Sequence, residues 1–322
     1  MNKAYITDYI NDPYIEKSVL GKNLSDKPNK DIEVIVVWHQ KIDGQYLDQF
    51  PKIKGVIRYG VGFDNIDLEE IINRGLVFCN TPDYGTDEVS DTALAMMLSL
   101  LRGIFAYDVF SREYSDTWQE NTITQLRRVS GLTLGVVGAG RIGTALMRKA
   151  RALDMNIIFY DPYKDSGYEK AIGVGRCYDL SEFLAQCDVV SMHTPLTSET
   201  QEMVDKSFID SMKQGSILIN SSRGEVVKDL DILYRALKSG KLSAVALDVL
   251  PDEPPIDCEL IRAWKGHDKE LGHKIIINPH TSYYTQESYI EMRVKAAENA
   301  KRILDGIEPF NIIADGRKNA TA

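Results

Sequence analysis

The sequence has few cysteines and no long apolar segment. Its four cysteines lack the C-x-x-C spacing of zinc or redox sites, so we expect reduced thiols, no disulfide framework and no metal site. The longest apolar run, Val34 to Trp38, is strand-sized and far short of the ~20 residues that a membrane span needs. Residues 1–17 contain acids where a secretory signal requires an unbroken apolar core. We therefore expect a cytoplasmic protein without a membrane segment.

The chain also lacks an excess of positive charge. Its formal net charge is -9 at pH 7, whereas nucleic-acid binding requires clustered Lys and Arg. We therefore expect no nucleic-acid partner. The composition, 43% hydrophobic and 26% charged, is that of a globular protein, and 322 residues suffice for two domain cores.

Short apolar runs alternate with helical patterns along almost the whole chain. Fully apolar strands separated by helices are typical of parallel sheets that are covered on both faces. This pattern predicts an α/β fold with two doubly wound parallel-sheet domains. The predicted strands are Ala4–Ile6, Val34–Trp38, Gly55–Tyr59, Val77–Cys79, Thr133–Val137, Ile157–Tyr160, Val189–Met192, Ile217–Ile219, Val245–Leu247 and Ile275–Ile277.

Two long helix patterns lie near the predicted domain boundaries. The first, "TDEVSDTALAMMLSLLRGIFAYDVFSREY", predicts one continuous helix from Thr86, because its apolar residues recur at three-to-four spacing. The second predicts a helix from about Thr285. We expect one domain to comprise residues 1–103 with 287–322, and the other to comprise residues 104–286. The final segment, "DGRKNATA", looks frayed.

A glycine-rich turn, "VVGAGRIG", carries Gly138, Gly140 and Gly143 in a G-x-G-x-x-G pattern. The pattern alone is weak, but here a strand precedes it, a helix follows it, and a second strand ends in Asp161 about 20 residues further on. That context predicts a dinucleotide site, with the pyrophosphate at the helix N-terminus. Asp161 would bind the adenosine ribose and repel a 2′-phosphate, so NAD(H) is favoured over NADP(H), with nearby Lys164 as the one reservation.

Three strand ends carry groups that a nicotinamide enzyme would need to reduce the carbonyl group of an acidic substrate. Arg223 could bind a carboxylate, although an Arg directly after a strand is more often paired with a surface acid. Asp248 could accept from the nicotinamide carboxamide, and Asp252 and Glu253 follow it in a proline-rich loop that could also be a solvated turn. His280 is the histidine best placed for acid–base chemistry, although a lone His is more often structural. The other histidines are His39, His193, His267 and His273.

Taken together, the motifs resemble those of the D-isomer-specific 2-hydroxyacid dehydrogenases. The resemblance extends over almost the whole chain, and it implies a Rossmann NAD-binding domain inserted into a flavodoxin-like substrate domain. "FYDPY", "SYIEMRVKAAENAKRIL" and the aromatic pair after His280 look most like the C-terminal-binding-protein (CtBP) branch. The motifs are "RYGVGFDNIDLEE", "NTPDYGTDEVSDTALAMMLSLLR", "TLGVVGAGRIG", "HTPLTSET", "INSSRGEVV", "ALDVLPDEPP" and "NPHTSYYTQES".

The resemblance implies a role for several residues. Arg223, Glu253 and His280 match the family's catalytic trio, with Glu253 favoured over Asp252 because it directly precedes proline. The CtBP branch commonly has Trp where Tyr283 stands here, so that branch's substrate preference is not assumed. The implied substrate-binding residues are Arg58, Val61, Gly62 and Tyr283. The implied cofactor-binding residues are Gly138, Ala139, Gly140, Arg141, Ile142, Gly143, Asp161, His193, Thr194, Pro195, Thr200, Ser221, Ser222 and Asp248.

The function that the resemblance implies is reversible hydride transfer between NADH and a small 2-oxo acid. The family also implies a homodimer. Two alternatives remain open: a CtBP-like NAD(H)-sensing binding protein or corepressor, and a phosphoglycerate dehydrogenase without a regulatory domain.

Overall fold

The computed structural model describes residues 3–112, 118–119, 122–123, 126–266, 268 and 270–318. The chain packs as two compact units, Met1–Gly85 with Tyr284–Ala322 and Thr86–Tyr283. The strands are β1 (Ala4–Ile6), β2 (Leu24–Ser25), β3 (Val34–Val37), β4 (Gly55–Arg58), β5 (Val77–Cys79), β6 (Thr133–Val137), β7 (Asn156–Tyr160), β8 (Gly175–Arg176), β9 (Val189–Met192), β10 (Ser216–Asn220), β11 (Leu242–Leu247), β12 (Ile275–Ile277) and β13 (Ile312–Asp315). The α-helices are α1 (Tyr14–Leu20), α2 (Gly44–Leu47), α3 (Leu68–Asn73), α4 (Thr86–Leu101), α5 (Ile104–Arg112), α6 (Arg141–Ala150), α7 (Tyr168–Ile172), α8 (Leu180–Leu184), α9 (Lys206–Ser211), α10 (Leu230–Lys238), α11 (Glu259–Lys265) and α12 (Gln286–Leu304).

The first unit is built around a six-stranded sheet with the order β13-β5-β4-β3-β1-β2. Its strands pair in parallel, except that β13 is antiparallel to β5. Strand β3 reads VIVV and is buried at all four positions, as a parallel strand covered on both faces should be. The order β2-β1-β3-β4-β5 is that of a flavodoxin-like sheet, as predicted.

The second unit contains a fully parallel seven-stranded sheet with the order β12-β11-β10-β9-β6-β7-β8. Side chains of β6 alternate between two buried clusters, Leu134 and Val136 in one and Val137 in the other, so both faces of the sheet are covered. The chain proceeds outward from β6 in one direction and outward from β9 in the other. Ligands of such sheets bind beyond the carboxyl ends of the strands at this reversal. The predicted doubly wound fold is confirmed.

The predicted long helix from Thr86 is wrong as a single element. It is broken into α4 and α5, which are bent by 57°, and Gly103 between them has φ +63, a left-handed conformation that a helix interior does not allow. The predicted helix also extends into residues 113–114, which lie outside the described ranges. Among the described residues, no single helix is both long and apolar enough to cross a membrane, and α4 with α5 reaches that length only as a bent pair.

The observed division between the units also differs from the predicted one. Helix α4 packs against α6 and strand β10, so it belongs to the second unit, and the division falls before Thr86 rather than after residue 103. The return to the first unit falls between Tyr283 and Tyr284, close to the predicted boundary after residue 286.

The C-terminal segment is more ordered than the sequence indicated. Strand β13 extends to Asp315, and residues 316–318 form a 3-10 turn in which Arg317 donates to Asp315 at 2.7 Å and to Glu308 at 2.9 Å. The prediction of a frayed end is therefore wrong for residues 315–318, and residues 319–322 lie outside the described ranges. Strands β2, β8 and β13 were not predicted, because they are short or lie at sheet edges.

Candidate active site

The glycine-rich turn after β6 is closely packed at two of its three glycines. An added Cβ at Gly138, which has φ +92, would lie 2.6 Å from the carbonyl oxygen of His193. A Cβ at Gly143 would lie 2.1 Å from the carbonyl oxygen of Gly138. A Cβ at Gly140 would meet nothing within 4 Å. The turn therefore leaves open space at the N-terminus of α6, which begins at Arg141, and this opening fits a pyrophosphate.

Asp161 follows β7 and contacts the glycine turn directly. One of its carboxylate oxygens accepts from the backbone N–H of Ala139 at 2.9 Å, and the other accepts from the N–H of Tyr163 at 2.9 Å. Each oxygen has a further lone pair, so the fixed carboxylate can still accept hydrogen bonds from ribose hydroxyls. In the first turn of α6, Arg141 is exposed and Ile142 is half-buried.

Two alanine variants test the close packing at Gly143 and the open space at Gly140 separately. Gly143→Ala should destabilise the protein by about 1–3 kcal/mol and weaken NADH binding at least about tenfold, because its methyl group overlaps the Gly138 carbonyl. Gly140→Ala should weaken NADH binding without lowering the melting temperature. Thermal melts and NADH fluorescence titrations measure both effects. Unchanged stability and affinity in Gly143→Ala would contradict this packing.

Buried polar atoms collect beyond the ends of β9 and β10. Nε2 of His193 lies 2.8 Å from Ser191 Oγ, but His193 Nδ1, Thr194 Oγ1 and Ser221 Oγ are buried without a hydrogen-bond partner among the described residues. Buried polar atoms normally have partners, so these atoms fit a bound group that supplies them. Burial lowers the pKa of His193 to about 4, so its imidazole is neutral near pH 7 and is not a proton donor.

Other predicted cofactor residues stabilise their own loops. Thr200 Oγ1 donates to the carbonyl oxygen of Pro195 at 2.6 Å. Ser222 donates to Asn220 Oδ1 from its hydroxyl at 2.8 Å and from its N–H at 3.0 Å. These contacts shape the loops after β9 and β10, and the cofactor contacts of these residues stay predictions.

Glu253 and His280 form a direct pair. Nδ1 of His280 lies 2.8 Å from Glu253 Oε2, and Glu253 Oε1 accepts from the N–H of Leu250 at 2.9 Å. Burial alone would raise the pKa of Glu253, but the hydrogen bonds from His280 and Leu250 and the charges of His280 and Arg223 lower the pKa below its usual value. The carboxylate is therefore ionised at neutral pH, and Nε2 is the imidazole nitrogen left for a substrate. Asp252 is exposed.

Asp248 fixes the turn that carries His280. Its carboxylate accepts from the N–H of Thr281 at 3.0 Å and of Ser282 at 3.1 Å, while its carbonyl oxygen accepts from the N–H of His280 at 2.8 Å. His280 has φ 54, in the left-handed region that non-glycine residues rarely adopt. Asp248 is only 2% exposed. The residue predicted to bind nicotinamide is therefore also a buried anchor for His280, a contact that the sequence analysis missed.

A close approach of two backbones brings Arg223 toward Glu253. A Cβ at Gly224 would lie 1.9 Å from the carbonyl oxygen of Leu250, so only glycine allows the segment after β10 to contact the segment before Glu253. Arg223 Nη1 donates to the carbonyl oxygen of Ser222 at 2.8 Å. The charge of Arg223 is one of the causes that lower the pKa of Glu253, so the guanidinium acts on this carboxylate electrostatically. The predicted trio thus lies at the carboxyl ends of three adjacent strands, β10, β11 and β12.

In the first unit, the predicted substrate loop after β4 is fixed by residues that follow β5. Thr81 Oγ1 accepts from the N–H of Gly60 at 2.6 Å, and Asn80 Nδ2 donates to the carbonyl oxygen of Val61 at 2.7 Å. These bonds hold the loop whose N–H groups, at Val61 and Gly62, are predicted to contact the substrate carboxylate. Asn80 and Thr81 begin the motif "NTPDYGTDEVSDTALAMMLSLLR", but no role was predicted for them, although their position directly after a strand was a usable signal.

Arg58 ends β4 and donates from Nε to Asn65 Oδ1 at 3.3 Å. The amide of Asn65 in turn donates to the carbonyl oxygens of Trp38 at 3.2 Å and Gln40 at 2.9 Å. Arg58 is thus connected to the loop after β3 through Asn65, which was also missed. Tyr283 is half-buried and is the last residue of the second unit.

Metal ligands are not grouped in the part of the chain that the structure describes, where no three His, Cys, Asp or Glu side chains could hold one ion. His267 lies outside the described residues. His273 packs edge-to-face on Phe110, with ring centroids 5.4 Å apart.

Known proteins resemble this chain in sequence and in fold. The family model for the NAD-binding domain of D-isomer-specific 2-hydroxyacid dehydrogenases matches residues 94–282. A glyoxylate reductase from Korarchaeum cryptofilum is 34% identical over 288 residues, which is 88% of this chain and 83% of the relative. A D-3-phosphoglycerate dehydrogenase from Methanocaldococcus jannaschii is 33% identical over 285 residues, 88% of this chain and 52% of the relative. The structure of Aquifex aeolicus D-lactate dehydrogenase complexed with NAD and lactic acid has a TM-score of 0.79 at 30% identity, covering 94% of this chain and 95% of that one.

The chain belongs to the D-isomer-specific 2-hydroxyacid dehydrogenase family. It is an NAD-dependent oxidoreductase that acts on the CH–OH group of 2-hydroxy acids. The predicted family, enzyme class and cofactor are confirmed. The CtBP-like branch stays a prediction, because the relatives reported above are named for enzymatic activities. The activities named for those relatives differ, so membership of the family does not determine the side chain of the substrate.

Proposed function

We propose that this enzyme reduces small 2-oxo acids with NADH, and that Arg223, Glu253 and His280 are its catalytic residues. The observation that carries the proposal is the pair of His280 and Glu253, whose Nδ1 and Oε2 atoms are 2.8 Å apart. The pair lies beyond β11 and β12, and Arg223 follows the neighbouring strand β10. The residues to which we assign the proton donor, its carboxylate partner and the cation for an acidic substrate thus follow three adjacent strands of one sheet.

Each of these residues has a distinct role in the proposed reaction. The Arg223 guanidinium binds the substrate carboxylate through paired hydrogen bonds and polarises the adjacent carbonyl. His280, as the imidazolium, donates its Nε2 proton to the carbonyl oxygen, and Glu253 stabilises the positive charge of the imidazolium. NADH, when bound, supplies the hydride to the carbonyl carbon, so that the product is a 2-hydroxy acid. Asp248 keeps His280 in the position from which it can donate.

The remaining predicted contacts complete the proposal. The glycine turn holds the pyrophosphate, Asp161 binds the adenosine ribose, and the polar atoms beyond β9 and β10 contact the rest of the cofactor. Arg58, Val61, Gly62 and Tyr283 contact the substrate. We also propose that the enzyme is a cytoplasmic homodimer, as the family resemblance implies.

A panel of 2-oxo acids tests the proposed reaction. The panel contains glyoxylate, pyruvate, hydroxypyruvate, 3-phosphohydroxypyruvate and phenylpyruvate, each assayed with NADH and with NADPH by the loss of absorbance at ~340 nm. We expect turnover with NADH and at least one small acid. Preference for the phosphorylated acid would favour the phosphoglycerate dehydrogenase alternative, and no turnover with any acid would contradict the proposal.

Glu253→Gln is expected to shift the pH dependence of reduction. The Glu253 carboxylate is ionised at neutral pH, because hydrogen bonds and nearby charges hold its pKa below the usual value. The Gln side chain can keep a hydrogen bond to His280 but lacks this negative charge, so the profile of rate against pH should be displaced toward lower pH. Rate profiles from pH 5 to pH 10 measure the shift. Asp252→Asn, which removes the exposed neighbouring acid, is the matched control, and identical profiles for all three proteins would rule out the electrostatic role.

A further inference from the structure

We propose that Glu199, positioned by Tyr163, is a second acidic residue that makes the adenosine end of the cofactor site reject NADPH. The inference rests on the proposed cofactor site, in which Asp161 binds the adenosine ribose. It assigns cofactor discrimination to two carboxylates from different loops rather than to Asp161 alone.

The two carboxylates are connected through one tyrosine. The N–H of Tyr163 donates to Asp161 Oδ1 at 2.9 Å, and its hydroxyl donates to Glu199 Oε2. Asp161 and Tyr163 follow β7, whereas Glu199 lies in the loop after β9, and these two strands flank β6 on either side. The contact therefore connects the loops on either side of the strand that leads into the glycine turn, and it holds the Glu199 carboxylate on the same tyrosine whose N–H holds the Asp161 carboxylate.

Glu199 lies in a turn with its own hydrogen bonds. Its N–H donates to Thr197 Oγ1 at 3.3 Å, and the N–H of Thr197 donates to Thr200 Oγ1 at 2.8 Å. The hydrogen bond to Glu199 is also the largest cause that raises the pKa of Tyr163, so the tyrosine hydroxyl stays a donor over the working pH range. Both partners of the contact are thus held from within their own loops.

Two basic residues near Asp161, Lys164 in the loop after β7 and Arg176 in β8, are engaged by other groups. Lys164 Nζ lies 4.8 Å from the centre of the Tyr168 ring. The guanidinium of Arg176 donates to the carbonyl oxygens of Asp161 at 2.9 Å, Lys164 at 2.7 Å and Asp165 at 3.1 Å, and its side chain is only 5% exposed. Arg176 therefore fixes the loop after β7 instead of presenting its charge at the surface.

This arrangement is unfavourable for a 2′-phosphate. A phosphate monoester carries about -1.5 to -2 charges near pH 7, and NADP-binding sites usually supply an Arg to neutralise it. Here the phosphate would approach the Asp161 carboxylate, with the negative charge of Glu199 on the neighbouring loop, while Lys164 and Arg176 are engaged by other groups. Because the repulsion from Glu199 acts through solvent, it should be moderate and should weaken as salt is added.

Binding of ADP-ribose and of 2′-phospho-ADP-ribose tests the inference without any hydride transfer. Isothermal titration calorimetry on the full chain gives the ratio of their Kd values for the wild type, Glu199→Gln, Tyr163→Phe and Asp161→Asn. We expect Glu199→Gln to reduce discrimination against the phosphorylated ligand about 3- to 10-fold, and Tyr163→Phe to reduce it less. Glu182→Gln, which neutralises an exposed acid of α8, should leave this Kd ratio unchanged. In 0.5 M salt, the Kd ratios of the wild type and Glu199→Gln should become more similar.

The variants separate failure of this inference from failure of the cofactor site. If Asp161→Asn lowers discrimination but Glu199→Gln does not, the inference is overturned and the proposed ribose contact survives. If Asp161→Asn changes neither affinity nor discrimination, the proposed cofactor site itself is wrong. Reduced discrimination in both variants, with a parallel change in the ratio of kcat/KM for NADH and NADPH, supports the inference.

Discussion

A His280→Asn enzyme is expected to lose about 10²- to 10⁴-fold in kcat for 2-oxo acid reduction while it binds NADH as the wild type does. Asn can retain a hydrogen bond to Glu253, but it carries no proton that it can release to a carbonyl oxygen near neutral pH. The backbone also tolerates this change, because Asn adopts the left-handed conformation of residue 280 more readily than most residues. The loss should therefore appear in catalysis and not in folding.

Steady-state kinetics and NADH titration measure the two quantities on the same preparation. The matched control is His273→Asn, at a histidine that packs on Phe110 away from the predicted trio. Its kcat should equal that of the wild type. If His280→Asn retained more than about a tenth of the wild-type kcat, the proton would have to come from another group.

Much of this site could be predicted because parallel strands end at one edge of a sheet. Arg223, Glu253 and His280 follow β10, β11 and β12, and once those strands are recognised, their alignment brings the three loops together. The glycine turn was predictable for a similar reason, because the G-x-G-x-x-G pattern connects a recognisable strand to a recognisable helix. These features depend on local sequence patterns and on a regular topology, both of which can be read from a single chain.

Other features depend on contacts that sequence periodicity does not encode. The N–H groups of Thr281 and Ser282 donate to the Asp248 carboxylate from a turn in which His280 has a left-handed conformation, and neither feature is visible in the residue pattern. The approach of Gly224 to Leu250 follows from how two loops pack. The break at Gly103 was missed because the apolar spacing continues through it, although glycine is a poor helix residue. In each case, tertiary packing decides between local conformations that the sequence pattern leaves open.

Arg223→Lys is expected to lower kcat/KM for the 2-oxo acid by about 10²- to 10³-fold, although the positive charge is kept. The planar guanidinium can donate two parallel hydrogen bonds to a carboxylate, whereas an ammonium acts as a single, strongly hydrated charge. Loss of a preorganised donor to a reacting oxygen costs about 2.7–4 kcal/mol in comparable sites. The charge of Arg223 also contributes to the lowered pKa of Glu253, and Lys keeps that charge. The pH profile of Arg223→Lys should therefore stay close to that of the wild type, while the rate falls because the paired hydrogen bonds are lost.

The comparison with Arg223→Met makes this distinction quantitative. Met removes the charge as well, so Arg223→Met should lower the rate further and also shift the pH profile. The control is Arg235→Lys, at an exposed arginine of α10 that lies 3.7 Å from Asp229, and it should change neither the rate nor the pH profile. Kinetics with formate or acetate as competing anions would add a direct measure, since both should inhibit the wild type and lose potency in the two Arg223 variants.

Wild-type kcat/KM in Arg223→Lys would show that charge alone suffices, and the paired hydrogen bonds to the substrate carboxylate would have to be abandoned. Equal pH profiles in Lys and Met would instead show that the guanidinium does not act on Glu253, and that the approach of Gly224 to Leu250 serves packing alone.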